Sequence, residues 1–305
     1  NPCFEYYPGL HKIVGVSTRP TYSVPLEKIF AGKRVSVVIG AVTAVDPSAK
    51  TVTTGTGTLH ADILVLAVGS QTDYFSIQGL RETAYGFKSV AEAKRLRAHI
   101  EELFEKHAKT EKTETVIGLH MVVVGAGPNG VDLAGEMAAF GCMLAKRHGI
   151  AESFLTVDLV EAGPRILGML PEPVSHRVER RLRTLGVNVL CNRDLKKDES
   201  WTVTFADTTV GARTLVWTAG VTSNELVTKI PGFALGKRNR VAVDEFLQAK
   251  GFRDVFCVGD IADTPYSGLA QTALYDAQYV ARTILRAGKK PAAYVPKKNA
   301  FNIGV

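Results

Sequence analysis

The strongest chemical signal in the chain is Gly125-Ala-Gly127-Pro128-Asn129-Gly130, because glycines at this spacing suit a pyrophosphate. The first glycine permits a tight turn, the second lets backbone approach the ligand, and the third lets the following helix pack against the preceding strand. Pro128 and Asn129 open that helix, whose unpaired N–H groups and partial positive charge attract phosphate. A GxGxxG run alone is weak evidence. Here it follows the apolar "HMVVV" and precedes "VDLAGEMAAF", so strand, turn and helix stand in the order the chemistry needs.

The companion of such a turn is an acid at the end of the next strand, where it takes the ribose hydroxyls. Glu161 in "LTVDLVEAGPR" occupies that strand end, and "CMLAKRHGIAES" lengthens the connection to it. A carboxylate there repels a 2′-phosphate, which points to NADH rather than NADPH. Arg165, a single loop arginine, is weak evidence for a phosphate, and a capping or surface role is the other reading of Glu161. Farther on, "VFCVGDIAD" places Gly259 and Asp260 at the carboxyl end of a buried strand, the edge where open α/β sheets bind ligands. Asp260 in that place could equally cap the next element.

These residues need elements to position them. From about Val116 the order is strand, helix, strand, helix, strand: "HMVVVG", "GVDLAGEMAAF", "FLTVDLVEAG", an arginine-rich helix and "VNVLC". That alternation specifies a parallel sheet covered by helices. Before it come the strand candidates "RVSVVIGAVTAVDP" and "KTVTTGTGTLHADILVLAVGS", and a helix over "SVAEAKRLRAHIEELFEKHA" with Ser89 and Glu92 in capping-box spacing. "KTEKTET", Lys109 to Thr115, reads as a domain junction. In "PVSHRVERRLRTLG", Val174, Val178, Leu182 and Leu185 recur at helical spacing and leave Arg177, Arg180, Arg181 and Arg183 on the other face. A solvated face is the favoured reading of those arginines, with an anionic partner second. "DILVLAVGSQT" and "RTLVWTAGVTS" echo one another, each an apolar strand ending in a small residue, a spacer and glycine, with a hydroxyl residue directly after it (Ser70) or one place on (Thr222).

The 305 residues suffice for two domains, and 46% hydrophobic with 22% charged residues is an ordinary globular balance. The net charge of +7 is dispersed, so no nucleic-acid partner is expected. Cys3, Cys142, Cys191 and Cys257 stand far apart with no histidine at ligand spacing, so neither a disulfide framework nor a metal site is expected. No apolar run is long enough to span a bilayer and the chain does not open on a signal peptide; a soluble, intracellular protein is expected, with peripheral membrane contact left open.

Taken in order, these motifs resemble the two-dinucleotide-binding flavoprotein reductases of the pyridine nucleotide-disulfide oxidoreductase superfamily. Within it the chain is similar to type II NADH dehydrogenases and apoptosis-inducing-factor-like reductases. The matching pieces are "FEYYPGL", "ILVLAVGS", "VVVGAGPNGVDLAGEMA", "VDLVEAGPRIL", "LVWTAGV" and "VFCVGDIAD" followed by "LAQTA". The resemblance implies an α/β fold in which a Rossmann-like NADH domain is inserted into a Rossmann-like FAD domain, with antiparallel β excursions. The expected domains are 1–115 and 233–305 for FAD and 116–232 for NADH.

It also implies site roles. Asp260, beside Gly259, would bond the ribityl or pyrophosphate region of FAD, and the helix opening at Ala270 and Gln271 would aim its N-terminus at the flavin ring. Ala67 and Gly69 in one echo, and Ala219 and Gly220 in the other, would mark the crossovers between domains. Asp132 and Glu136 would be the carboxylates nearest the nicotinamide, there to position it or simply to face solvent. The implied reaction is hydride transfer from NADH to FAD and electron transfer onward to a quinone or another small acceptor. Quinone-reducing members tend to carry two glutamines where this chain has Tyr275 and Asp276, which leaves the acceptor open. Disulfide-reducing branches need a redox cysteine near the flavin, and Cys3 lies slightly early for that role.

The family opens with its own FAD-binding βαβ unit, and the chain as read is expected to begin just after it. The alternative function is therefore a family member without flavin, acting as a scaffold or nucleotide-responsive binding protein; a fragment of an ordinary enzyme is the third reading. The expected place is mitochondrial or on the inner face of an energy-transducing membrane.

Overall fold

A computed structural model describes residues 2–16, 23–109, 118–199, 202–205, 208–286 and 291–297. The elements that position the site begin with a short helix, α1 (Leu10–Val14), the strands β1 (Leu64–Leu66) and β2 (Tyr85–Gly86), and a long helix, α2 (Val90–Lys109). Next come β3 (His120–Val124), α3 (Pro128–His148), β4 (Thr156–Val160), α4 (Glu172–Thr184), β5 (Val187–Leu190) and β6 (Thr214–Trp217). The last are β7 (Val255–Cys257) and α5 (Ala270–Leu285).

Two compact units share the chain. One gathers the described residues of Cys3–Ile29 and Thr72–Gly220; the other gathers those of Phe30–Gln71 and from Val221 onward. The chain thus changes units two residues after Gly69 and again at Gly220. The expected functional boundaries were 115/116 and 232/233, and the polar junction at 110–115 lies outside the described residues. The helix before that junction, α2, belongs to the same compact unit as α3 and packs against it.

In the first unit five parallel strands stand in the order β5-β4-β3-β6-β2. Met121 to Val124 of β3 are all buried, as expected of a strand covered by helices on both faces. Helix α3 packs on β3 and β4, and it runs on to His148, so "CMLAKRH" is two more helical turns ended by Gly149 in the left-handed conformation. Arg97 of α2 ties the layer together: its guanidinium donates to the carbonyls of Ile13 (3.1 Å) and Gly15 (2.8 Å) and lies over the Phe140 ring. The antiparallel excursion here is Leu195–Glu199, Thr202–Phe205 and Thr209–Gly211.

Local details differ from the sequence pattern in three places. At the start of α2 the Glu92 N–H donates to Ser89 Oγ (3.1 Å), but the Glu92 carboxylate reaches back to the Lys88 N–H (2.7 Å) rather than that of Ser89. In α4 the inward stripe is Ser175, Val178 and Leu182, while Val174 is 36% exposed, because Ser175 turns in to accept from Arg165 (2.6 Å). The four arginines of α4 are exposed, and Arg183 pairs with Glu179 (2.8 Å). Finally, residues 34–41 of the first strand candidate form no strand; Val35, Val38 and Ile39 are exposed, and a β-branched run without a neighbouring strand gains nothing from extending.

In the second unit β1 and β7 pair in parallel over a core of Val45, Leu64, Leu66, Val227, Val241, Val255 and Ile261. The strand that does form from the first candidate, Val42–Asp46, pairs with Thr51–Thr54, which pairs with Gly57–His60 in an antiparallel sheet. Helix α5 packs on the turn Gly259–Ile261 that follows β7. Residues 291–297 have no regular structure, yet Tyr294 is anchored: its ring meets Tyr279 at 5.1 Å and its N–H donates to the Glu245 carbonyl (2.7 Å).

Candidate functional site

The strand order of the first unit fixes where a ligand can enter. β3 has β4 on one side and β6 on the other, so the connections leaving the sheet diverge at its carboxyl end, the switch point where open α/β sheets bind ligands. Gly125 to Gly130 lie there. Gly125 has φ +104°, and its N–H donates to the Val160 carbonyl (2.8 Å), joining the turn to β4. Thr218, just after β6, closes the other side: its hydroxyl donates to the carbonyls of Val124 (2.9 Å) and Gly125 (2.8 Å).

The three glycines do separate jobs. A Cβ on Gly130 would stand 1.9 Å from the Gly125 carbonyl oxygen, and one on Gly125 would stand 2.5 Å from the Ala219 nitrogen, so both are needed for packing. A Cβ on Gly127 would meet nothing within 4 Å. That glycine is the N-cap of α3, no side chain caps the helix there, and Pro128 needs no partner for a missing N–H. An open space over an uncapped helix N-terminus fits the phosphates of a dinucleotide.

Glu161 sits one residue past β4 and is locked across the turn. One carboxylate oxygen accepts from the Ala126 N–H (2.9 Å) and the other from the Gly163 N–H (2.9 Å), leaving lone pairs for ribose hydroxyls. Arg165 is engaged elsewhere: besides Ser175 it donates to the carbonyls of Leu167 (3.2 Å) and Gly168 (2.8 Å). Its guanidinium shapes its own loop. Asp132 and Glu136 both project from α3 toward α1, where Glu136 pairs with Lys12 and Asp132, 9% exposed, acts on His11. Burial holds the His11 imidazole below its usual range, against the pull of the Asp132 and Glu136 charges.

In the second unit Gly259, φ +71°, turns the chain after β7 and presents Asp260 at the strand edge. Ser70 donates its hydroxyl to the Asp260 carboxylate. Behind the turn, Asp276 of α5 accepts from the Gly259 N–H (2.9 Å). The N-terminus of α5 at Ala270 and Gln271 has no side-chain cap, and Gly268 before it has φ +98°. Ala67 and Gly69 follow β1, and the Gly69 carbonyl accepts from the Asn224 N–H (3.1 Å). In the first unit Ala219 and Gly220 follow β6, where a Cβ on Gly220 would stand 2.2 Å from the Asp73 carbonyl oxygen. An acid at a strand end beside an uncapped helix N-terminus is a donor set that fits the polar chain of a flavin dinucleotide.

Sequence reasoning passed over Thr218, Ser70 and the buried role of Asp276. Thr218 and Ser70 both lie inside the echoed segments, so the echo was a usable signal; nothing in the pattern marked Asp276 as inward. Cys3 is half-buried in a short strand, Cys3–Glu5, paired with Ser23–Pro25.

Comparison with known proteins finds relatives over most of the chain. The family model described as pyridine nucleotide-disulphide oxidoreductase matches residues 3–277. A type II NADH:quinone oxidoreductase of Staphylococcus epidermidis is 30% identical over 276 residues, covering 86% of this chain and 67% of the relative. One from Staphylococcus saprophyticus is 28% identical over 271 residues, covering 85% and 67%. Among solved structures, NDH2 of Plasmodium falciparum in complex with NADH superposes with a TM-score of 0.77 at 21% identity, over 86% of this chain but only 58% of that one. A ferredoxin reductase of Rhodopseudomonas palustris superposes with a TM-score of 0.76 at 18% identity, over 95% and 69%.

Proposed function

The chain belongs to the pyridine nucleotide-disulphide oxidoreductase family, and from that premise we propose that it is an FAD-dependent NADH oxidoreductase that passes electrons to a quinone or another small acceptor. What carries the reading is the glycine turn at the switch point with Glu161 locked across it, in a chain similar over most of its length to type II NADH:quinone oxidoreductases.

In this reading the Gly127 to Gly130 N-terminus of α3 takes the pyrophosphate of NADH and Glu161 takes its ribose hydroxyls. Glu161 keeps a fixed orientation because two backbone N–H groups hold it, and its charge disfavours a 2′-phosphate. Asp132 and Glu136, on the same helix, position the nicotinamide half; Glu136 does so with its charge balanced by Lys12. Asp260 and the N-terminus of α5 take FAD, with Ser70 orienting the Asp260 carboxylate. The chemistry that bound FAD supplies is acceptance of a hydride from the nicotinamide and release of electrons to the acceptor. The protein's share is binding, orientation and exclusion of water.

A quinone acceptor is lipid-dissolved, so the reading brings with it peripheral contact with a membrane. Among the described residues no helix is long and apolar enough to cross one.

The test is direct. Purified protein supplied with FAD should bind it, oxidise NADH in preference to NADPH with a short-chain quinone or a dye as acceptor, and lose that preference in Glu161→Ala. NADH binding without flavin uptake or NADH oxidation would turn the reading to the scaffold alternative, and binding of neither nucleotide would sink both.

A further inference from the structure

The loop between the Asp260 turn and α5, residues 262–268, is closed by its own groups. Ser267 Oγ donates to the Ala262 carbonyl and accepts from the Thr264 N–H (3.0 Å), and the Ser267 N–H donates to the Thr264 carbonyl (3.3 Å). These bonds are internal to the loop. Arg240 reaches it from outside: its guanidinium donates to the Ser267 carbonyl (3.1 Å), and its Nη2 lies 3.4 Å from the place a Cβ on Gly268 would take. Gly268, at φ +98°, turns the chain two residues before α5 begins.

The backbone of Arg240 is held against the other end of the same loop. Its carbonyl accepts from the Gly236 N–H (2.7 Å), and beside it the Val241 N–H donates to the Ile261 carbonyl (2.7 Å) while the Asp263 N–H donates to the Val241 carbonyl (2.9 Å). Main chain at residues 240–241 is thus tied just after Asp260, and the Arg240 side chain is tied just before α5.

We propose that Arg240 is a positioning residue for FAD: through its bond to the Ser267 carbonyl it holds the start of α5 in register with Asp260. The proposal rests on the reading of Asp260 and the N-terminus of α5 as the flavin-binding groups. A ligand that spans two points on a protein gains from both only if they are already in register; otherwise part of the binding free energy goes into ordering the loop between them. Arginine suits the task, because its planar fork gives up little freedom per hydrogen bond and keeps its charge. Burial holds the guanidinium below its usual range and the Arg238 charge adds to this, while the charges of Asp260 and Asp263 act in the opposite direction. A cation acting on Asp260 also offsets the repulsion between that carboxylate and the phosphates of a dinucleotide.

The experiment compares the wild type with Arg240→Met, which keeps the stem of the side chain without its donors, and with Arg240→Lys, which keeps a donor and the charge on a different geometry. Flavin fluorescence quenching should show FAD bound about tenfold more weakly by Arg240→Met and about threefold more weakly by Arg240→Lys. NADH affinity, set by the other unit, should be unchanged in both, and the melting temperature without FAD should move by less than about 3 °C. Wild-type FAD affinity in Arg240→Met would overturn the proposal, as would an FAD loss matched by equal losses in NADH affinity, which marks a general structural role.

A measurement without flavin keeps the two readings apart. The Thr264, Ser267 and Ala273 N–H groups are all hydrogen-bonded, and their hydrogen exchange should be severalfold faster in Arg240→Met and partly restored in Arg240→Lys. If the wild type takes up no FAD, the flavin reading is what fails, and the exchange rates then decide the role of Arg240 in holding the loop: faster exchange confined to these groups supports it, and unchanged exchange overturns it.

Discussion

The two turns that follow buried strands in this protein, Gly125–Gly130 after β3 and Gly259–Ile261 after β7, are held by different means. The first is fixed mostly by backbone groups and a hydroxyl, with Thr218 on one flank, the Val160 carbonyl on the other and one carboxylate, Glu161, accepting from the Ala126 N–H. The second leans on two side-chain carboxylates, Asp260 bonded to Ser70 and Asp276 bonded to Gly259. Hydrogen bonds between backbone groups and hydroxyls are indifferent to pH, whereas a buried carboxyl is not. Burial raises the Asp276 carboxyl above its usual range, so stability around the second turn should fall as pH rises through that raised pKa, while the first turn, held mostly by groups that do not titrate, should show less of this.

The largest break of this comparison comes from glycine. Gly130→Val puts side-chain atoms where even a Cβ would stand 1.9 Å from the Gly125 carbonyl oxygen, so it should cost about 3 kcal/mol or more in denaturant unfolding and abolish NADH binding. Gly127→Ala is the sharper control. Its Cβ meets no protein atom, so stability should change by less than about 0.5 kcal/mol while NADH affinity falls about tenfold, or about 1.4 kcal/mol. Wild-type NADH affinity of Gly127→Ala in a fluorescence titration would mean that Gly127 does not face a ligand.

Next in size is Glu161→Ala, which leaves the Ala126 and Gly163 N–H groups without their acceptor. About 2 kcal/mol of stability should be lost, and NADH should bind about tenfold more weakly while NADPH is less affected. Isothermal titration with both nucleotides checks this.

A buried carboxylate in the first unit gives the counterpart to Asp276. Burial pushes Asp158 up, but hydrogen bonds from His120 (2.8 Å) and Asn188 (2.9 Å), with the charges of His120 and Arg193, bring it below its usual range. A lowered carboxyl contributes stability above its unfolded pKa and loses it as pH falls through the folded one. Asp158→Asn should thus cost about 1.5 kcal/mol at neutral pH, with the deficit shrinking below about pH 4. Burial raises the Asp276 carboxyl instead, and the opposite slope this predicts for Asp276→Asn makes the pair a test by melting temperature against pH. Slopes of the same sign would dissolve the contrast between the units.

The smallest effect is expected at the second turn itself. Gly259→Ala would place its Cβ 3.2 Å from that of Ala273 at φ +71°, a cost of about 1 kcal/mol. Flavin retention after gel filtration would show whether the turn still presents Asp260.

Much of the fold was legible because its signals are local. The "HMVVV" strand, the helix over 90–109 and the alternation through β5 carry their own periodicity. The residues around Val35 to Ile39 were misleading for the same reason: β-propensity is local, but a strand needs a neighbour, and none pairs with them. Val174 gave way to Ser175 because Arg165, ten residues back, supplied a donor no helical wheel contains. Of the candidate site, the glycines and Glu161 could be named from spacing, while Thr218 and Ser70 needed partners 93 and 190 residues away.

The sequence by itself determined the phosphate-binding turn, the acid that accompanies it, and the alternation that makes a parallel sheet, since all three are patterns of spacing within one strand–helix–strand unit. Only the tertiary structure decided that the turn lies at the switch point between β4 and β6. It alone decided that Glu161 is locked in place while Arg165 is engaged in its own loop, and that Asp276 points inward to hold the turn bearing Asp260. These are matters of which distant groups are brought within hydrogen-bonding reach and removed from water, and no spacing along the chain encodes them.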